Sequence, residues 1–427
     1  MTDFAGLEAR FGAGNYAPLP VTIVRGAGVY VWDEAGRRYI DMMGAYSAAS
    51  FGHCHPRLVK ALTEQAQRLD TISRAYFSDR LGPFLAKACA LTDMDAALPM
   101  NSGAEAVETA LKAARKWAYK VKGVPTDRAG IIAAEGNFHG RTISIVGFSS
   151  QAQYRDGFGP FPPGFTCVPF GDASALAAAI TPDTAAFLVE PIQGEGGINV
   201  PPPGYLAEAA RICKANNVLL LCDEIQSGLG RTGRLLACQY EGVTPDGLML
   251  GKALGGGMLP VSLFLARREV MQVFTPGDHG STFGGNPIAS AVGLAALDTL
   301  IDERLIERAA TVGAHLLARL SAIKNPIIRE VRGRGLFAGV ELHRNMASAG
   351  TVIKRLLQAG VLTKDTHRNT IRFAPPLIID EQQVDWAVDR LTEVLDEIAA
   401  STVQARPPLP ARTVREHPAR EHIRSLQ

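Results

Sequence analysis

Lys252 is the one cation in LMLGKALGGGMLPVS, Leu248 to Ser262, and it lies between a short apolar run and three consecutive glycines. A lysine normally keeps its ammonium in water. At the end of a buried strand, beside glycines that let other groups approach closely, it becomes a chemical tool. Desolvation lowers the pKa of an amine and turns it into a nucleophile toward carbonyls. Pyridoxal 5'-phosphate needs such a lysine, and it also needs an acid beside its pyridine nitrogen. Asp223, at the end of the very apolar run VLLLC, suits that second role. The phosphate needs donors, and Asn101-Ser102-Gly103-Ala104 opens a helical stretch whose first N–H groups are unpaired. Alone, this turn is no more than a helix cap; with Lys252 and Asp223 it forms a coherent set.

The elements that must position these residues follow from the apolar runs. From about residue 98 to 257, runs such as IIAAEG, AAFLVEPIQ, VLLLCDEIQ and DGLMLGK alternate with amphipathic stretches. Runs that are short and apolar on both faces predict strands of a mostly parallel sheet covered by helices on both sides. In such a sheet, ligands bind beyond the carboxyl ends of the strands. Reading each run to its end delivers Asn137, Phe138 and His139, then Glu190 and Glu195, then Asp223, Glu224 and Gln226, then Lys252 to one edge. A single acid there often only starts a turn; a whole set argues for a site.

After Asn286 the character changes. A helical stretch of one or two helices leads to REVRGRGLFAGVEL, a candidate strand pair, to NTIRFAPPLIID, a strand stopped by prolines, and to a last amphipathic helix. The expected organisation is an N-terminal segment, 1–60, packing with the small domain; a large cofactor domain, 61–300; and a smaller α+β domain, 301–400. VYVWDEAGRRYIDMM reads as a hairpin. Residues 401–427, rich in proline and arginine, are expected to be a disordered tail.

A net charge of +2 on 427 residues gives no reason for bulk attraction to nucleic acid or to a membrane surface. No apolar stretch has the length of a membrane span, and the N-terminus has neither signal-peptide nor transit-peptide character. The six cysteines form no CxxC and several lie in apolar runs, as for thiols in a reducing compartment, so a cytoplasmic protein is expected. GHCHP offers His53, Cys54 and His55, but structural zinc takes four ligands and no second pair is evident, so it reads as a packed turn and no metal is expected.

The motifs SGAEAVETALKAAR, FHGRT, VEPIQGEGG, DEIQSGLGRTG, GKALGGG and HGSTFGGNP occur in the order and spacing of the class III pyridoxal-phosphate aminotransferases, and the chain resembles that family over about residues 15–400. The resemblance implies the fold type I transferase architecture, a large α/β domain plus a smaller α+β one, and a homodimer with shared active sites, or a higher oligomer. NYAPLPV, AYSA followed by GHCHP, YRDGFGPFPPGF and NTIRFAPPL are most similar to the branch of the family that moves the δ-amino group of ornithine to 2-oxoglutarate.

Carried over residue by residue, the resemblance makes Lys252 the residue bonded to the cofactor and the proton carrier. Asp223 pairs with the ring nitrogen, Phe138 stacks on the ring and Gln226 approaches its hydroxyl. Ser102, Gly103 and Ala104 hold the phosphate, with Ser281 and Thr282 from a partner subunit. Tyr16, Tyr46 and Arg141 hold the far end of ornithine. Arg372 takes the α-carboxylate of 2-oxoglutarate, and Glu195 shields it while ornithine is bound. One departure is Ser50-Phe51, where the family commonly has Asn-Gln, beside the segment of Tyr46. The alternatives are another ω-aminotransferase, acting on acetylornithine, 4-aminobutyrate or a diamine; an amino-acid racemase, which would need no keto acid; and a non-catalytic protein that kept the fold.

Overall fold

The computed structural model describes residues 2–404. Its centre is a seven-stranded sheet of β4 (Ala96–Met100), β5 (Gly130–Ala134), β6 (Phe165–Val168), β7 (Thr184–Val189), β8 (Leu219–Asp223), β9 (Gly247–Leu250) and β10 (Ser262–Ala266), in the order 4-10-9-8-7-5-6. Only β10 runs against its neighbours. A second sheet begins with β1 (Ile23–Ala27), β2 (Tyr30–Asp33) and β3 (Arg38–Asp41); β2 and β3 form the expected hairpin. The third contains β11 (Ile328–Arg334), β12 (Phe337–Leu342), β14 (Lys364–Thr366) and β15 (Thr370–Phe373), while the short β13 (Val361–Leu362) joins β3 in parallel. The N-terminal hairpin is thus tied to the chain's late segment by main-chain pairing.

The central strands are apolar on both faces because both faces are covered. In β8, Leu219 and Leu221 point into one core, with Ala106, Val107, Ala110 and Ala113 of the helix Gly103–Trp117. Leu220 and Cys222 point into the other, with residues of the helices Tyr205–Ala215 and Pro287–Asp302. This two-residue alternation explains why the run carries no polar residue before its end. Alanines on the helix face let it approach the sheet closely. Each leucine so buried stabilises the fold by roughly 1.5–3 kcal/mol.

The stretch after Asn286 forms two helices, Pro287–Asp302 and Leu305–Ala322, with Arg304 at φ 51° between them. The last helix runs from Glu381 to Gln404, past the expected boundary at 400; the rest of the 401–427 segment lies outside the described residues. No helix among the described residues is long and apolar enough to cross a membrane.

Two glycines fix how the late helices meet the centre. A Cβ on Gly313 would stand 2.1 Å from the carbonyl carbon of Gly335, and one on Gly335, at φ +56°, would stand 2.3 Å from that of Thr232. Backbone therefore rests on backbone through three layers. Gly313→Ala is expected to lower the thermal midpoint by several degrees, since forced overpacking costs about 1–3 kcal/mol. Gly350→Ala, where a Cβ meets nothing closer than Ser348 Oγ at 4.0 Å, should be neutral or stabilising. Thermal unfolding of both variants checks this; equal midpoints would mean that the helix shifts freely.

Candidate active site

Strand register brings the predicted residues together. β7, β8 and β9 are parallel neighbours, with Val189 opposite Cys222 and Asp223 opposite Met249. Glu190, Asp223 and Lys252 therefore leave the sheet at adjacent carboxyl ends. Lys252 adopts φ 45°, a left-handed conformation that a side chain rarely takes, at the start of a short 3-10 turn. Strain of this kind persists only where the surroundings impose it, and it is common at functional sites. Burial lowers the pKa of its ammonium, against the opposing pull of Glu195 and Asp223. That is the direction a nucleophilic amine requires.

Asp223 and Glu224 part company. Asp223 Oδ2 lies 2.7 Å from His139 Nδ1, and both residues are buried. Glu224 turns away and accepts from Ser227 Oγ and the Cys238 N–H. Burial disfavours the His139 imidazolium, but the Asp223 carboxylate outweighs this and raises its pKa. The other ring nitrogen, Nε2, is buried and has no partner among the described residues. Glu190, fully desolvated, accepts from the Phe138 and Gly194 N–H groups at 3.0 and 3.2 Å. Burial pushes its pKa up to about 7, against the charge of His139. The sequence placed His139 and Glu190 on this edge without a role; that they share one buried charge cluster with Asp223 depends on long-range packing.

The anion cradle is built by the helix Gly103–Trp117. Ser102 caps it, Oγ accepting from the Glu105 N–H, while the Glu105 carboxylate takes the Ser102 and Asn101 N–H groups. This capping box leaves the first-turn N–H groups of Gly103 and Ala104 without an intrahelical acceptor. A Cβ on Gly103 would sit 3.0 Å from Ile225, and one on Gly251 3.3 Å from the same side chain. The helix end, the segment after Asp223 and the approach to Lys252 thus converge. Ser281 reaches the same turn within one chain: Asn101 Nδ2 donates to its Oγ at 2.8 Å. Thr282 is exposed.

The other end of the site is ionic and aromatic. Arg372, on β15 and 1% exposed at its side chain, donates from Nη2 to Glu195 Oε1 at 2.7 Å and from Nη1 to Gln226 Oε1 at 3.1 Å. Desolvation of the Glu195 carboxylate is outweighed by Arg372, which holds its pKa below the usual range. The Arg372 guanidinium also lies 5.0 Å from the centre of the Tyr46 ring. Gln226, expected near a ring hydroxyl, has its amide oxygen engaged by Arg372. Phe138 is half-buried, with the Arg141 guanidinium 5.6 Å from its centroid and 4.3 Å from that of Tyr154. Tyr16 is 75% exposed, yet its phenol is near enough to Tyr46 to raise that group's pKa a little, the main cause being burial.

Sequence reasoning gave no role to Tyr154 and His367, whose hydroxyl and Nε2 are 3.4 Å apart beside Arg141. Tyr154 had a signal, its place in YRDGFGPFPPGF. His367 had none, because only the fold brings the turn before β15 here. As a set, these residues offer a desolvated amine, a buried carboxylate backed by an imidazole, a helix N-terminus for an anion, and a shielded arginine for a carboxylate. A phosphorylated pyridine aldehyde fits the first three: the donors are present, Lys252 has no hydrogen-bond partner among the described residues, and Asp223 is held in place by His139 and the Ile225 N–H.

The comparisons agree with this chemistry. The aminotransferase class-III family model matches residues 11–395. An ornithine aminotransferase of Geobacillus sp. (strain WCH70) is 55% identical over 92% of this chain and 98% of its own. The crystal structure of the ornithine aminotransferase of Toxoplasma gondii superposes with a TM-score of 0.92 at 45% identity, covering 93% of this chain and 96% of that one. An acetylornithine aminotransferase from Elizabethkingia anophelis is likewise 45% identical, with a TM-score of 0.84 over 92% of this chain and 98% of that one.

The Glu190 environment has a pH consequence. A carboxyl raised from 4.5 to about 7 on folding is protonated in both states at low pH. As pH rises through this window the unfolded chain ionises freely and the folded one does not, so stability is lost. Glu190→Gln cannot titrate. In urea unfolding of the cofactor-free protein, the wild type's lead over Glu190→Gln is expected to shrink between pH 5 and pH 8; a constant gap would mean that Glu190 stays ionised.

Proposed function

The chain belongs to the class-III aminotransferase family, and we propose that it transfers the δ-amino group of L-ornithine to 2-oxoglutarate, giving glutamate 5-semialdehyde and glutamate. The observation that carries the substrate assignment is the closed pair of Glu195 and Arg372, with Tyr46 against the guanidinium. An arginine fork suits the α-carboxylate of a dicarboxylate substrate. Left bare, it would also draw the α-carboxylate of ornithine and present the wrong amine. Glu195 neutralises it, and an incoming 2-oxoglutarate competes for the same fork.

When bound, pyridoxal 5'-phosphate supplies the aldehyde that captures an amine and the ring that accepts carbanion electrons. Gly103 and Ala104 N–H groups and Ser102 would hold its phosphate, Phe138 its ring face and Asp223 its nitrogen. His139 fixes the Asp223 carboxylate in place. Lys252 Nζ, its proton affinity reduced by burial, would take the proton from the δ-carbon of ornithine in the first half-reaction and deliver one to the α-carbon of 2-oxoglutarate in the second. Arg141, held between Phe138 and Tyr154, is the cation available for the α-carboxylate of ornithine, with Tyr16 and Tyr46 beside the unblocked α-amine. The same reading includes a cytoplasmic homodimer: free cysteine thiols suit a reducing compartment, and Thr282, exposed in one chain, would serve a neighbouring subunit's phosphate turn.

The second reading, an acetylornithine aminotransferase, is favoured by the match to the Elizabethkingia anophelis protein. A panel of amine donors with 2-oxoglutarate, assayed for the cyclised semialdehyde, separates the two. Ornithine should exceed acetylornithine, 4-aminobutyrate and diamines; a preference for the acetylated donor would overturn the assignment. Lys252→Ala should keep cofactor binding and lose essentially all turnover. Asp223→Asn should lose about a hundredfold or more, as when a preorganised electrostatic contact is removed. Glu195→Ala should preserve or speed the 2-oxoglutarate half-reaction while transfer from the α-amine of ornithine rises, read by single-turnover kinetics with product analysis. Equal slowing of both half-reactions with regioselectivity intact would make Glu195 merely structural.

A further inference from the structure

The segment that displays Tyr46 has an unusual backbone. Gly44, Ala45, Tyr46 and Ser47 all have positive φ, at 54°, 47°, 58° and 76°. With ψ of 49° and 42° at Ala45 and Tyr46, this is a left-handed helical turn. L-residues with a Cβ avoid that conformation, and left-handed residues normally occur singly. Three consecutive non-glycine residues must therefore be held there by their surroundings.

Two buried side chains hold them. Asp41 Oδ1 accepts from the Met43 and Gly44 N–H groups, both at 2.9 Å, and its Oδ2 lies 2.9 Å from His53 Nε2. This explains His53 of GHCHP: it orients the carboxylate that starts the turn. At the other end, Ser50 Oγ donates to Ser47 O at 2.9 Å and accepts from Arg231 Nη2 at 2.8 Å. Arg231 is completely buried and gives its other nitrogen to the carbonyls of Leu336 and Pro375, at 3.0 and 2.5 Å. Its acceptors are neutral, so it serves as a brace rather than as half of an ion pair. Ser50, the departure from the family's common pattern, is thus the contact between brace and turn.

The same brace reaches the strand of Arg372. Ala374 N donates to Met42 O at 2.8 Å, and Leu377 N to Ser50 O at 2.7 Å. A Cβ on Gly44 would come within 2.5 Å of Ala374 O. The turn therefore lies flush against the residues that follow Arg372, and the Tyr46–Arg372 contact is set by main-chain geometry.

We propose that Asp41 and Arg231, acting through Ser50, are positioning residues that hold the Gly44–Ser47 turn left-handed, keep Tyr46 over Arg372, and so determine which amine donor the site selects. This rests on the aminotransferase reading above. Ser50→Ala removes the hydroxyl that links Arg231 to the turn and is small enough to fold; Asp41→Asn weakens the other end. The holoenzymes are assayed with ornithine and with 4-aminobutyrate, which has no α-amine or α-carboxylate, each with 2-oxoglutarate. The ratio of kcat/KM for ornithine to that for 4-aminobutyrate should fall about tenfold or more in Ser50→Ala, mainly through the KM for ornithine. Adding Ala45→Gly, which removes one Cβ from the left-handed turn, should restore much of the ratio. A purely structural role would slow both donors equally and leave the ratio unchanged in both single variants; that outcome overturns the proposal, as does failure of Ala45→Gly to rescue a fallen ratio. If the wild type makes no semialdehyde from ornithine, the substrate reading fails instead, and the ratio between its two best donors then tests the brace.

Discussion

Charge compensation at one edge of the central sheet is the constraint that the rest of the molecule obeys. Lys252, Asp223, His139, Glu190, Glu195 and Arg372 crowd a region from which most water is excluded. There an isolated charge is expensive and a paired one is tolerable. The groups are accordingly linked: imidazole to Asp223, backbone N–H groups to Glu190, guanidinium to Glu195. Among the described residues Lys252 has no such fixed partner, and burial lowers its proton affinity instead. A partner for every neighbour would have left nothing reactive. Of these six, the one with neither a hydrogen-bond nor an ion-pair partner among the described residues is the one on which the proposed chemistry turns.

The parallel register of β7, β8 and β9 makes this arrangement possible, because it ends three apolar strands at the same level. Helix packing then matters as much as the strands. The alanine-rich face of Gly103–Trp117 lets that helix lie close enough for its N-terminus to meet the ends of β8 and β9, and Gly103 and Gly251 leave room for Ile225 between them. The later sheet contributes Arg372 from β15. A single site is therefore assembled from segments more than 300 residues apart, from Tyr46 to Arg372.

Much of this was legible in the chain itself. Strands buried on both faces write themselves as unbroken apolar runs, so their ends, and the polar residues at those ends, could be located from VLLLCDEIQ or DGLMLGK. Lys252 between a buried strand and its glycines, and the helix-opening turn at Ser102, lay within short local patterns; the left-handed backbone of Lys252 and the reciprocal bond from Glu105 did not show. What was not legible depends on contacts distant in sequence. His53 on Asp41, Arg231 on Ser50 and Tyr154 on His367 leave no periodic mark. Nor does composition show that Ser281 meets Asn101 inside one chain, or that Gln226 is turned to Arg372. The extension of the last helix to Gln404 went unread because its final turn enters a stretch whose later residues are proline-rich.

Asp41, and Arg231 through Ser50, hold the turn at Gly44–Ser47 by contacts that do not run through the side chain that it displays. Address and occupant are separate. A different residue at position 46 would be delivered to the same place, facing the same guanidinium, without the scaffold having to be rebuilt. Such a mounting lets one catalytic apparatus explore new specificities through changes at a single displayed position, while the residues that hold and activate the cofactor stay as they are.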